Sequence, residues 1–592
     1  MQRAHLRVDD RNDKLKLFDV GFFILVYIFS VFTVSTALFI VKIPITAVHG
    51  ALSLIMTVAV MLLFYRKKSV LRITAAAVPV IIVCIFAMGL FFDLTWDGNC
   101  YRKTITYILR QGYNPIYEYF YEAVGRIGTI WNIDWFKWYD GYPKGVFTFS
   151  AVIYAMTGNV ETGKCLNALL ILSAGFMSFE IIKQLFTVKP WQAFLCAAAL
   201  CLNPVAITQM INYYDDGALG MLFFICIASL LYLTMNKGGS LTRHCYAAVF
   251  ASVAFGLNVK FSALIFFAII VGAFFILWLV RDMLAQRRVL ISNENLRHIA
   301  FFASCVVFGV CFFGLSSYVV NILRFKTPLY PVFGPGAEDI LTGNTPAALL
   351  VKSRVGQVIA SLLSPVSNSL DSAAYSKAPF SFRSEEFFKN WGPETRLGGW
   401  GVFFSGIFIL SLIVLIIFLL ARYKQNRAMC GYALFTFGIA VVPSAIVPGM
   451  FWARYNLLLY IVPVMALISL FAFAGGKNGG KNIGKNSAPA RLIAPLVLSV
   501  MLLANMSTGI IAGGYGFVTS LKIRGQLREL KTLSESGVVQ VRNTHVHLDF
   551  NGQFINMFDA GIKDFEIMRE LDDYDGTFYP PYPVFYKIVP FE

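Results

Sequence analysis

Two pairs of carboxylates stand where this chain should be leaving a membrane. Asp93 and Asp97 follow about twenty almost uninterrupted apolar residues, in the stretch FFDLTWDGNCYRKTITYILRQGYNP, residues 91–115. If the preceding helix continues outward, a spacing of four puts both side chains on one face. A carboxylate at a low-dielectric boundary can be tuned toward basicity and take a proton from a hydroxyl, with its neighbour in support. The same pair also suits a solvated membrane-exit turn. Asp215 and Asp216 form the second pair, in NPVAITQMINYYDDGALGMLFF between two further apolar runs. Acids there cap the next helix, or they share a divalent ion. Mg²⁺ and Mn²⁺ favour oxygen ligands and neutralise a departing phosphate.

Cations occupy matching positions. Lys260, in FGLNVKFSALIFF, and Arg454, in PGMFWARYNLLLYIVP, each border an apolar run. Charges at such depth are expensive and tend to have partners. Either they snorkel to lipid headgroups, or they hold a lipid-linked phosphate, lysine as a point charge and arginine as a fork. Lys144, in YPKG, and the Arg102–Lys103 pair beside the first acids are further candidates.

The elements that must position these groups are membrane helices. Of 592 residues, 57% are hydrophobic and 14% charged, and the mean hydropathy is +0.66. That composition predicts an all-α polytopic membrane protein. Thirteen apolar runs suit spanning helices: near 18–41, 46–64, 73–92, 163–183, 190–210, 217–236, 245–258, 261–280, 299–321, 401–421, 429–448, 454–474 and 492–513. The charged first residues precede an apolar run that reads as a retained helix rather than a cleaved signal. With the N-terminus cytoplasmic, the inner segments carry a net charge of +19 and the rest of the chain −2. The overall +17 is therefore a positive-inside signal, and nucleic acid is not needed to explain it.

Three long segments then lie outside, near 93–162, 322–400 and 515–592. The first is rich in Tyr and Trp, as expected of helices in the headgroup layer. Its last part, PKGVFTFSAVIYAMTG, is too short to span and reads as interfacial or half-inserted. The tract 475–490, GGKNGGKNIGKNSAPA, reads as a cytoplasmic linker. The C-terminal segment holds one helix, SLKIRGQLRELKTLSES, and strand-like runs, a small α+β unit on the outer face.

Several tempting features carry nothing. His545 and His547 alternate onto one strand face without a third ligand. The glycosylation triplet at Asn505 falls inside an apolar run. No P-loop, dinucleotide fingerprint, zincin or nucleophile-elbow motif occurs, and nine of the ten cysteines lie in or beside apolar runs, as small buried hydrophobes do.

An acid just after a membrane helix, a tyrosine four residues on (Asp97, Tyr101), then GYNPIY and YPKG, resembles the first outer loop of the GT-C superfamily. These polytopic glycosyltransferases take sugars from polyprenyl-phosphate carriers. Protein O-mannosyltransferases and lipid A aminoarabinose transferases are among them. The resemblance continues through TGNVETGKCLNALLIL, NPVAITQMINYYDDG, GLNVKFSAL and WARYNLLLYIVP, and so covers roughly 73–474. It implies that Asp97 matches the catalytic aspartate, Asp216 the second-loop acid, and Lys260 the lysine that grips the lipid phosphate. The family often has an acid directly after the catalytic aspartate. This chain has Gly98 there, which leaves Asp93 or Asp215 for that role.

The domains expected are 1–72, a cytoplasmic N-terminus with an extra hairpin; 73–321, the catalytic core with outer loop 93–162; 322–400, a large outer loop; 401–513, the last membrane helices; and 514–592, the outer C-terminal unit. Sugar transfer to an acceptor hydroxyl at the outer face is the expected reaction. Asp97 and Asp93 would be catalytic. Lys260, Arg454, Tyr101, Arg102 and Lys144 would bind substrate, and Asp215 and Asp216 a divalent cation. The expected partners are a polyprenyl-phosphate sugar, a glycan, lipid or protein acceptor, and membrane lipids. The expected location is the plasma membrane of a bacterial cell, with the C-terminus extracytoplasmic. A polysaccharide polymerase or ligase, and a secondary transporter or flippase, are the alternatives. A transporter expects ionisable residues near mid-membrane, whereas these cluster at one face.

Overall fold

The computed structural model describes residues 14–127, 136–286, 292–371, 376–388, 392–475, 488–543, 551–562, 565–568, 570–571, 573–578 and 583–590. His545 and His547 and nearly all of the tract 475–490 lie outside the described residues. Among those described, nine helices are long and apolar enough to cross a bilayer: Leu17–Ile40, Lys67–Met88, Val160–Leu185, Asp216–Met235, Ala263–Leu284, Asn293–Phe313, Phe404–Arg422, Arg427–Ile446 and Ile493–Leu533. The pair Pro190–Cys201 and Pro204–Met210, bent by 66° where Asn203 and Pro204 interrupt it, makes a tenth if counted as one span.

The other three expected spans fold as 15-residue helices, Val48–Leu62, Thr242–Gly256 and Ile461–Gly475. Each is about 22 Å long at ~1.5 Å per residue, short of a hydrocarbon core of ~30 Å. The protein is thus helical with long apolar spans, as a multi-pass membrane protein is built, and the expected count of thirteen is not reached by length. The N-terminal hairpin is no appendage either. Leu17–Ile40 is one of the more buried helices, and Gly21 lets it press against Cys165–Leu185, where Ser173 Oγ donates to the Gly21 carbonyl at 2.8 Å.

The first outer segment begins where helix Lys67–Met88 ends. Residues 92–95 are not helical, so Asp93 and Asp97 do not share a helix face. Short helices follow, and Tyr117, Tyr119 and Tyr121 expose their rings on this segment. Helix Gly145–Thr157, expected at the interface, is instead wrapped by protein along residues 145–154.

The last membrane helix does not stop at the bilayer. It runs as one 46-residue helix, Ala488–Leu533, and absorbs the separate outer helix expected from the sequence. On the way it holds the exit of helix Lys67–Met88: Ser520 Oγ accepts from Phe92 N at 2.8 Å, and Arg524 donates to the carbonyls of Gly89 and Leu90 at 3.2 Å. The C-terminal unit is α+β as expected. Strands β1 (Gly537–Asn543), β2 (Phe565–Ile567), β3 (Gly576–Phe578) and β4 (Val584–Pro590) form a sheet in the order β2-β1-β4-β3. β1 runs parallel to β2 and antiparallel to β4, and β3 antiparallel to β4. Its small core takes Ile523, Leu527 and Leu530 from the long helix and Phe554 and Met557 from helix Asn551–Asp559.

Candidate active site

Asp97 enters a helical turn that winds as a π-helix over Gly98–Arg102 before helix Lys103–Arg110 begins. Such turns are rare and concentrate at functional sites. Gly98 is required by a close approach, since a Cβ added there would collide with the Asp93 carboxylate. That collision is why no second acid can follow Asp97 in this chain.

Asp97 faces a cavity of about 360 Å³. Its side chain is 22% exposed, against 3% for Arg102, 9% for Arg454 and 13% for Lys260. Tyr101 Oη donates to Asp97 Oδ2 at 3.4 Å, and Arg102 and Arg454 reach within 3.7 and 3.9 Å of the same oxygen. Across the cavity Lys260 Nζ pairs with Asp216 Oδ1 at 2.5 Å and lies 4.1 Å above the Tyr455 ring. Arg454 stacks on Trp452 at 3.8 Å and on Tyr214 at 4.7 Å. Its Nη2 donates to Tyr455 Oη at 3.2 Å, but the buried Nε and Nη1 find no hydrogen-bond acceptor among the described residues. A guanidinium held by aromatic faces, with donors left over, is suited to a planar or tetrahedral oxyanion.

The far wall comes from residues 392–400 of the long segment 322–400, which the sequence did not mark as part of the site. Glu394 Oε1 accepts from Trp96 N at 3.0 Å and from Tyr214 Oη at 2.8 Å. Burial, then the charge of Asp97, raise its carboxyl above the usual carboxylate range. Arg396 is tied to Asn344 Oδ1 and Asn368 Oδ1, both at 2.7 Å, and lies 5.4 Å from the Trp452 ring.

The second acidic pair splits. Asp216 pairs with Lys260 on the wall of a groove beside the cavity, whereas Asp215 is sealed and gripped by Arg102, with Nη1 2.8 Å from Oδ2 and Nη2 3.3 Å from Oδ1. Arg102 therefore lines the cavity with its charge already engaged. Among the described residues, no three His, Cys, Asp or Glu side chains converge as a metal group would need. Each aspartate of the expected metal pair already faces a cation, and Arg454 adds another within 3.9 Å of Asp216. That donor set does not fit a divalent cation, and it does fit an anion.

Two expected site residues lie elsewhere. Asp93 is wholly buried; Oδ1 accepts from Thr95 N and Oγ1 at 2.8 and 2.6 Å, and Oδ2 from Tyr213 N at 2.7 Å. Behind it Glu161 binds Lys103 Nζ at 2.5 Å, Lys164 Nζ, Asn556 Nδ2 at 2.9 Å and the Asp93 N–H at 3.0 Å. Asp93 thus positions the 213–216 loop from behind and does not meet the cavity. Lys103 turns to that cluster while its neighbour Arg102 turns to the cavity. Lys144 is likewise buried, donating to the carbonyls of Asp140 at 2.7 Å and Tyr142 at 3.0 Å, and burial pushes its ammonium down to about 7. It holds the backbone rather than a substrate.

A second, apolar groove of about 130 Å³ adjoins the cavity. Leu219, Phe223, Phe266, Val447 and Leu457 line it, and Lys260 and Arg454 belong to both compartments. The two cations therefore stand at the junction of a polar chamber and an apolar one, where the phosphate of an amphiphile would sit. Comparison of the chain with protein-family models, with curated proteins and with solved structures finds no match in any of the three.

Proposed function

We propose that this protein is an inverting membrane glycosyltransferase that moves a sugar from a polyprenyl-phosphate carrier to an acceptor hydroxyl. The observation that carries the reading is the junction just described: Asp97 in a polar chamber, Lys260 and Arg454 at its border, and an apolar groove beyond. An amphiphilic donor would lay its chain in the groove, its phosphate on the two cations and its sugar among Trp138, Tyr214 and Trp452. Asp97 accepts the proton of the acceptor hydroxyl. The oxygen so freed forms a bond to the anomeric carbon from the face opposite the phosphate. The carbon–oxygen bond to the phosphate breaks, and its electron pair leaves on the lipid phosphate, whose growing charge Lys260 and Arg454 offset. No step runs through a metal.

The test is transfer in proteoliposomes with a panel of radiolabelled polyprenyl-phosphate sugars. Loss of label from one carrier to an acceptor, dependent on the protein, is the expected result. Label that crosses the bilayer still attached to its carrier would mark a flippase. Turnover only of diphosphate-linked glycans would mark a polymerase or ligase.

A further inference from the structure

Helix Asp216–Met235 begins at the Asp97 cavity and ends about 30 Å away, at 20 residues and ~1.5 Å each. At that far end Met235 borders a separate cleft of about 630 Å³. Five helices, Cys165–Leu185, Asp216–Met235, Phe404–Arg422, Arg427–Ile446 and Ile461–Gly475, form most of its wall, and Leu200 of Pro190–Cys201 completes it. Its wall is almost entirely aliphatic and aromatic, with Ile181, Leu200, Phe224, Ile227, Val464 and Ile468. Water finds too few partners in such a space to fill it. The helices that enclose it are apolar spans, so the matching occupant is a hydrocarbon chain.

The charge in the cleft wall lies at one end. Arg422, Asn426, Thr187 and Tyr432 form its rim, and Arg281 donates to Tyr432 Oη at 2.9 Å. Lys424 follows the end of Phe404–Arg422, and Lys183 nearby is paired with Glu180 at 2.8 Å, which leaves the end net positive through Arg422, Arg281 and Lys424. A cationic headgroup would meet like charges there, and an anionic one would be drawn in. Deeper inside, seven residues before Leu185, the Ser178 hydroxyl lines the cleft, 1% exposed and without a hydrogen-bond partner among the described residues. At ~1.5 Å per residue it sits about 10 Å below the rim. An ester carbonyl of a glycerolipid lies below its phosphate and supplies the acceptor that this hydroxyl lacks.

We propose that this cleft is a binding site for an anionic phospholipid, with one acyl chain between the five helices, the phosphate at Arg422 and an ester carbonyl at Ser178. The site is distinct from the Asp97 cavity and does not depend on the reaction proposed there. It joins the inner ends of helices far apart in sequence, so the lipid completes the packing of the bundle at that end.

The test uses the full chain, delipidated in detergent, with thermal unfolding followed as phosphatidylglycerol or phosphatidylcholine of identical chains is added. Phosphatidylglycerol should raise the unfolding temperature at concentrations where phosphatidylcholine does not. Arg422→Gln alters a half-buried side chain at a helix end, whose hydrogen bond to Gln425 Oε1 a glutamine amide can replace, and should fold normally. It should weaken the phosphatidylglycerol response about ten-fold, as expected for one charge-assisted hydrogen bond. Ala433→Phe, which fills the cleft, should abolish it. Equal responses to the two lipids, or an unchanged response in Arg422→Gln, would overturn the headgroup assignment. Displacement of phosphatidylglycerol by a lower concentration of polyprenyl phosphate would assign the cleft to a carrier lipid instead and overturn the proposal.

Discussion

Arg454 holds its guanidinium between two carboxylates, with Nη1 3.9 Å from Asp97 and Nε 3.9 Å from Asp216. Both nitrogens are buried and too far from either acid for a hydrogen bond. A buried donor left unsatisfied costs about 1–3 kcal/mol, so an oxyanion between Arg454 and Lys260 relieves a penalty that the protein alone leaves standing. This open donor set is what supports an anionic substrate in the proposed function.

Asp97→Asn is expected to abolish transfer while leaving donor binding largely intact. The amide keeps the size and polarity of the side chain but cannot accept the acceptor's proton. General-base catalysis contributes about 10²–10⁴-fold. Initial rates and donor binding on the purified variant give the answer, and activity above about a tenth of wild type would remove Asp97 from that role.

Lys260→Met should act mainly on the donor. Losing a charge-assisted hydrogen bond to phosphate costs roughly 1.5–3 kcal/mol, about ten- to a hundred-fold in donor affinity or turnover, with little change in acceptor KM. The substitution also strips Asp216 of its partner, so the double variant Lys260→Met/Asp216→Asn is the control. Donor kinetics restored in the double variant would show that the lysine serves Asp216 and not the phosphate.

What the sequence disclosed of this site is what a border discloses. Asp97, Asp216, Lys260 and Arg454 are charges at the ends of apolar runs, where hydropathy makes them conspicuous, and the fold gathers them around two adjoining cavities, Asp97 lining one, Asp216 the other and the two cations both. Asp93 was equally conspicuous and misread. Its partners Tyr213 and Glu161 lie 120 and 68 residues away, and four residues of spacing mean one face only where the chain is helical. Glu394 and Arg396 stand in a loop without periodicity, so nothing local marks them. Their role comes from a contact with Trp96 across 298 residues. Spans that are long enough were legible, whereas the 15-residue helices were overcounted because apolarity sets no helix end. The outer helix expected as a separate element is part of the last membrane helix, because a polar turn need not interrupt a helix.

Glu394 is expected to position Tyr214 and Trp96 rather than to react. Glu394→Ala removes the acceptor of both donors and should lower kcat by about ten-fold or more, the range for unsatisfied buried donors. Glu394→Gln keeps a carbonyl oxygen at that place and should recover most of the loss. A Gln variant as inactive as the Ala variant would instead assign the carboxyl group itself a part in the chemistry.

Asp559 makes the anchoring of the C-terminal unit pH-dependent. Its Oδ1 accepts from Tyr154 Oη at 2.5 Å and its Oδ2 from Val160 N at 2.7 Å, with Arg110 and Glu161 nearby. Burial outweighs these hydrogen bonds and raises its carboxyl to about 6. A folded-state value above the unfolded ~3.9 means that the folded protein holds the proton more tightly. That contribution is complete below pH ~4 and is lost as the pH rises through about 6. The wild type should therefore lose stability from pH 5 to 7 relative to Asp559→Asn, as read by thermal unfolding of both. Parallel pH profiles would contradict it.

Sidedness is testable without any substrate. Single cysteines placed in 322–400 or 515–592, in a background freed of native thiols, should react with an impermeant maleimide on intact cells. Those in 281–298 should be protected until permeabilisation. The reverse pattern would put Asp97 on the cytoplasmic side and end the lipid-phosphate reading.

The long helix Ala488–Leu533 ties the chemistry to the thickness of the bilayer. At 46 residues it is a lever about 70 Å long, with its lower part in lipid and its upper part in the C-terminal core. Spanning helices answer a thinner or thicker membrane by tilting, and five degrees about the inner end moves the outer end of such a rod by about 6 Å. Ser520 and Arg524 on that rod hold Gly89, Leu90 and Phe92, just before Asp93. The unit at its tip presses Gly552 against Asn99, within the turn that follows Asp97. The rod cannot lean without loading both ends of the segment that carries the proposed base, so on the proposed reading lipid chain length would act as a mechanical input to the site.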